Sequence, residues 1–276
     1  MWTRSLLKSN AKVILSRNYW HIWVGCFIAM LLGGGLAGNI GVSSSYRYSA
    51  DSGAASGSFL PFYGDSSQVA LAFLGVFLIV FLIGILAGLC LAAFVCLPVQ
   101  VGLCRFLMES RSGNSPYATI FSLFRRDNYL HTVCSMFLTR LKVFLWSLLL
   151  LVPGVIKGYE YYFVPFLLAE NPNLSRARAQ ELSSQMTNGE KGKMFVLDLS
   201  FYGWYFLVAL ASTLCISMGG TSPFYMLVAY LVALFGSLCL APYYSATFAE
   251  LYAAMREKAL AIGMTDAHEL GGFLRY

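Results

Sequence analysis

The chain has 276 residues, 58% of them apolar and only 12% charged, with a net charge of +6. A soluble domain carries roughly 25% charged residues, so this composition excludes an ordinary water-soluble fold and points to a chain whose solvent is largely lipid. The positive excess requires no nucleic acid, because 15 of the 19 Lys and Arg fall in four clusters beside apolar runs, the pattern that marks cytoplasmic loops.

The apolar runs are long and unbroken and do not alternate with period two, so the spans are helices and not barrel strands. The sequence therefore predicts an all-α, polytopic transmembrane bundle. It forms a single integral membrane domain over residues 1–276, with about six membrane segments and interfacial amphipathic pieces.

Residues 1–19 contain Arg4, Lys8, Lys12 and Arg17 among Leu6, Leu7, Val13 and Ile14. They read as a cytoplasmic helix on the inner membrane surface. Trp20 to Ile40 is an uncharged run of 21 residues, enough to span roughly 30 Å of hydrocarbon. It reads as a permanent span and not as a cleaved leader. Residues 41–68 are rich in Gly and Ser and form an external loop. Val69 to Val101 follows as a second span that Pro98 ends or kinks. The second basic cluster, Arg105, Arg111, Arg125 and Arg126, places the next stretch inside, with Ile120, Phe121, Leu123 and Phe124 forming an interfacial piece.

Leu130 to Ala169 contains Arg140, Lys142, Pro153-Gly154, Lys157 and Glu160. Two helices turning near Pro153-Gly154 would return the third basic cluster to the inside. The arms are short, about 16 and 24 Å at 1.5 Å per residue, so two full spans and a re-entrant hairpin both stay open. Residues 170–193 form a cytoplasmic loop in which Ser175 caps a short helix. Met194 to Met218 is the fifth span, and Gly219 to Pro223 is an external turn. Phe224 to Ala249 is the sixth span, broken late by Pro242, and residues 250–276 form a cytoplasmic tail.

Four stretches carry a family resemblance: LKSNAKVILSRNYW, VPGVIKGYEYYFVPFLLAENPNLS, MTNGEKGKMFVLDLSFYGW and APYYSATFAELY. In this order they resemble the uncharacterised bacterial integral membrane family called domain of unknown function 975. The Pro-Gly turn and the serine-bearing cytoplasmic helix are also loosely similar to the membrane domain of some bacterial glycerophosphodiester phosphodiesterases, whose catalytic domain is absent here. The resemblance implies six membrane segments in a bacterial plasma membrane and no known molecular function.

Gly33-x-Gly35-x-x-Gly38 lies inside an apolar span, without the strand that a dinucleotide fingerprint needs. The pairs Gly34/Gly38 and Gly84/Gly88 instead have the spacing that lets helix backbones approach, within the chain or against a second copy. The three histidines and seven cysteines show no metal-ligand spacing, so neither metal nor cofactor is expected. Asp198 is read as a carboxylate favoured by the start of its helix. Lys157 and Glu160, three apart on one helical face, are the leading candidates for a polar site within the membrane, with Arg140 near them.

No catalytic motif appears, so a non-catalytic helper or scaffold is expected, with membrane lipids and other membrane proteins as partners. A small transporter or channel is the alternative. A lipid-acting intramembrane enzyme fits the residues least.

Overall fold

The computed structural model describes residues 2–32, 66–111, 113, 115–125, 128–219 and 222–271. The regular structure of the described residues is all helical, with nine α-helices: α1 (Arg4–Leu31), α2 (Ser66–Leu91), α3 (Leu97–Ser110), α4 (Tyr129–Leu149), α5 (Leu151–Glu160), α6 (Val164–Glu170), α7 (Arg176–Thr187), α8 (Lys191–Gly219) and α9 (Pro223–Ile262). A π-helical turn, Ala92–Cys96, joins α2 to α3, and a 3-10 helix, Tyr117–Arg125, precedes α4.

Four stretches are long and apolar enough to cross a membrane: Phe73–Ser110, α4, α8 and α9. The first apolar run of the sequence is described only as far as Leu32, and most of the external loop lies outside the described residues.

The helix boundaries follow local chemistry. Thr3 caps α1 by accepting the Leu6 amide at 3.3 Å, and Ser175 caps α7 through the Arg178 amide at 3.3 Å. Along α1, Leu7, Ala11 and Leu15 are buried at a spacing of four while Arg4 and Lys12 stay exposed, so the basic face points away from the core. The helix kinks at Asn18 (φ −135°, ψ 37°), and Ile22, Cys26 and Ala29 continue the buried face beyond it.

Pro98 does not end the second run. Lacking an N–H, it leaves the carbonyl four residues earlier without its helical donor. That carbonyl belongs to Phe94, inside the π turn, and the Tyr129 hydroxyl donates to it at 2.5 Å. Pro242 likewise does not break the last helix, since α9 runs through it for 40 residues. Residues 250–262 of the expected cytoplasmic tail continue α9 and are mostly buried, and the helix stops at Gly263 in the left-handed conformation (φ 72°).

Between α4 and α5 the chain reverses at Leu150, whose backbone is extended (φ −155°, ψ 135°). This is three residues before the Pro-Gly pair expected to make the turn. Pro153 sits in the first turn of α5, where no N–H partner is required. Gly154 serves close packing: a Cβ there would lie 2.5 Å from the Ser147 Cα, so only glycine lets α5 lie against α4. At ten residues α5 is about 15 Å long, half of the hydrocarbon thickness.

The molecule divides into two zones. In one, α3, α6, α7 and the ends of α1, α8 and α9 pack around fully buried Phe106, Phe163, Phe166, Phe248 and Tyr252. Gly102 of α3 is indispensable to that packing, because a Cβ there would fall 1.9 Å from the Ile120 carbonyl oxygen of the 3-10 helix. In the other zone, α2, the far halves of α8 and α9, and the α4–α5 tip carry large apolar side chains on their outer surface. Phe73, Leu148 and Phe224 are each about two-thirds or more exposed. Water would not tolerate so continuous an apolar surface, and lipid demands it.

Candidate functional site

Polar groups gather where the two zones meet. Lys157 Nζ lies 2.9 Å from Glu160 Oε1, one turn along α5. Glu160 is not a partner of Lys157 alone. Lys191 at the start of α8 reaches its other oxygen at 3.1 Å, and the Ser184 hydroxyl of α7 donates to Oε1 at 3.0 Å. The carboxylate thus ties three helices together and is 8% exposed. It lies at the end of α5 remote from Pro153-Gly154, and Arg140 takes no part in it.

Deeper in the packed zone, Glu170 closes α6 among apolar neighbours. Arg256 of α9 holds its Oε1 at 2.7 Å, and the Tyr252 hydroxyl donates to Oε2 at 2.6 Å. Glu250 accepts from Arg111 and from Asn10, joining α9, α3 and α1. Glu190 holds Lys193 at 2.8 Å and Lys258 at 3.1 Å. At the surface, Arg178 donates to Glu269 at 2.7 Å. That hydrogen bond holds the Glu269 carboxyl below its ordinary range and pushes the Arg178 guanidinium further up.

Arg140 lies elsewhere, on the wall of a cavity of about 340 Å³ between α4, α5, α8 and α9. Its Nη2 donates to Gln100 Oε1 at 2.7 Å. Asp198 lines the same cavity. Its Oδ2 accepts from the Tyr159 hydroxyl at 2.6 Å and its Oδ1 from the Tyr244 hydroxyl at 3.1 Å. Tyr162 and Tyr244 hydroxyls are 3.2 Å apart and extend the network.

The eighth residue of α8, Asp198 sits beyond the first turn, so tyrosine hydroxyls and not a helix terminus satisfy it. Sequence reasoning had no access to this, since Tyr159 and Tyr244 lie 39 and 46 residues away. One signal was available. Asp198 is a solitary carboxylate within an apolar run, and such a group must find a donor on another helix.

The glycine pairs stand apart from these networks. A Cβ at Gly84 or Gly88 would meet no atom of the described residues within 4 Å. Gly34 and Gly38 lie outside the described residues. Among the described residues no group of three His, Cys, Asp or Glu side chains could hold a metal ion.

A family model described as "Protein of unknown function (DUF975)" matches residues 67–259. No curated protein and no solved structure matches the chain.

Proposed function

The chain belongs to the family described as protein of unknown function, DUF975, and from its geometry we propose a non-catalytic helper or scaffold of a bacterial plasma membrane. The observation that carries this reading is the packed centre. Phe106, Phe163, Phe166 and Tyr252 are fully buried, and the deepest charges, Arg256 and Glu170, neutralise each other at 2.7 Å. A transport path needs charges facing an opening, and the charges at this centre, Arg256 and Glu170, face each other. Proteoliposomes containing the purified chain are expected to leak ions and small solutes no faster than protein-free vesicles. A reproducible tenfold excess of flux for any solute would replace the scaffold with a transporter.

The same proposal fixes a topology. The N-terminus is cytoplasmic, and α8 and α9 cross the membrane, as do α2 and the apolar run that begins in α1. The α4–α5 hairpin enters from the cytoplasmic side and returns to it. Support comes from its tip, where Leu148, Leu149, Leu150 and Val152 are apolar and 63–74% exposed, a surface suited to lipid and not to an external loop. In a background with the native cysteines replaced, Leu150→Cys should resist a membrane-impermeant maleimide added from outside. A reporter fused after Ser184 should be silent in the exterior. Rapid external labelling at position 150 would show that the hairpin crosses.

A further inference from the structure

Five carboxylates among the described residues are buried: Glu160, Glu170, Glu190, Asp198 and Glu250. Four of them hold a Lys or Arg within ion-pair distance. Asp198 holds only tyrosine hydroxyls, which bring no positive charge. Arg140 is its counterpart: its hydrogen-bond partner, Gln100, offers a neutral amide oxygen and no charge. The two residues line one cavity from α4 and α8 without pairing. Two opposite charges left uncompensated in one poorly hydrated space are expensive, and a single ligand carrying both signs would neutralise them together.

We propose that this cavity binds a zwitterionic head group, with its oxyanion at Arg140 and its ammonium at Asp198. A guanidinium suits a phosphate or carboxylate because its forked N–H groups match paired oxygens. An ammonium suits Asp198, whose carboxylate accepts one tyrosine hydroxyl at each oxygen and keeps further lone pairs for a cationic donor. The volume of about 340 Å³ lies at the small end of ligand pockets. It accommodates a head group and not two acyl chains.

The position of the cavity identifies the carrier as an amphiphile. Tyrosine gathers at the head-group level of a membrane, and five tyrosines line this space. Next in the chain to the lining residues Val143 and Val155, and two after Tyr202, stand exposed apolar side chains: Phe144 (61%) on α4, Ile156 (47%) on α5 and Trp204 (58%) on α8. A lipid seated with its head in the cavity would lay its chains along that surface.

The test uses the full chain, stripped of lipid in an uncharged detergent. Added short-chain phosphatidylethanolamine at a hundredfold excess over its Kd should raise Tm by roughly 5 °C. Phosphatidylglycerol of the same chain length, which lacks the ammonium, should give less than a fifth of that shift. Asp198→Asn and Arg140→Gln should each abolish the response to phosphatidylethanolamine, and Arg140→Lys should keep part of it. Should either variant fail to fold, native mass spectrometry of the parent supplies the decision: ethanolamine-headed lipid should be retained in preference to glycerol-headed lipid. Equal shifts with both lipids would overturn the ammonium site. An equal shift with O-phosphoethanolamine, which has no chains, would overturn the amphiphile and leave a free zwitterion as ligand. Absence of any shift or retention would overturn the whole proposal.

Discussion

Arg256→Met is expected to destabilise the protein by about 3–5 kcal/mol, and Glu170→Gln by a similar amount. The two side chains are 4% and 0% exposed and lie 2.7 Å apart. Removing one leaves the other charged in a region filled by Phe163, Phe166 and Tyr252. Tyr252 adds a hydrogen bond to the second carboxylate oxygen at 2.6 Å, so the tyrosine also loses its charged acceptor in Glu170→Gln. The Glu170→Gln/Arg256→Met double variant removes both charges and should recover most of the loss. Detergent-titration unfolding in mixed micelles measures all three. Single-variant losses under about 1 kcal/mol, the range of exposed pairs, would show that water reaches the pair.

The second large effect concerns Glu160, and its signature is asymmetry. Glu160→Gln should cost about 2 kcal/mol, between the exposed and buried limits for a broken pair. It strands Lys157 and Lys191 together, each about 30% exposed. Lys157→Met should cost under about 1 kcal/mol, because Lys191 still neutralises the carboxylate at 3.1 Å. Lys191→Met should behave alike. The same unfolding assay applies. Equal losses for Glu160→Gln and Lys157→Met would mean that the two form a private pair and that Lys191 contributes nothing.

That asymmetry also shows how far the sequence reaches. The i,i+3 spacing of Lys157 and Glu160 made their contact legible, since the helix itself brings them together. Lys191 and Ser184 were not legible, because tertiary packing places them there from 31 and 24 residues away. The hairpin divides the same way. The charge pattern called for a reversal in this stretch, and the break between α4 and α5 does not fall where proline and glycine stand. Pro153 tolerates the first turn of a helix and Gly154 answers a packing demand, so the chain reverses at Leu150, which carries no turn signal of its own. The apolar runs revealed α2, α8 and most of α9, because lipid-facing surface needs composition alone. Arg140 stands apart from Lys157 and Glu160, because its surroundings, Gln100 and the Asp198 cavity, come from α3 and α8.

The bond between Glu170 and Arg256 sets an order of events during synthesis. The two residues are 86 positions apart. At 5–20 residues per second, roughly 4–17 s pass between the appearance of the carboxylate and that of its guanidinium. For that interval α6 has no counter-charge to enter the packed zone with, and the favourable place for its end is water. The packed zone around Glu170 is therefore completed only once α9 has been made, and until then the end of α6 must stay where water can reach its carboxylate.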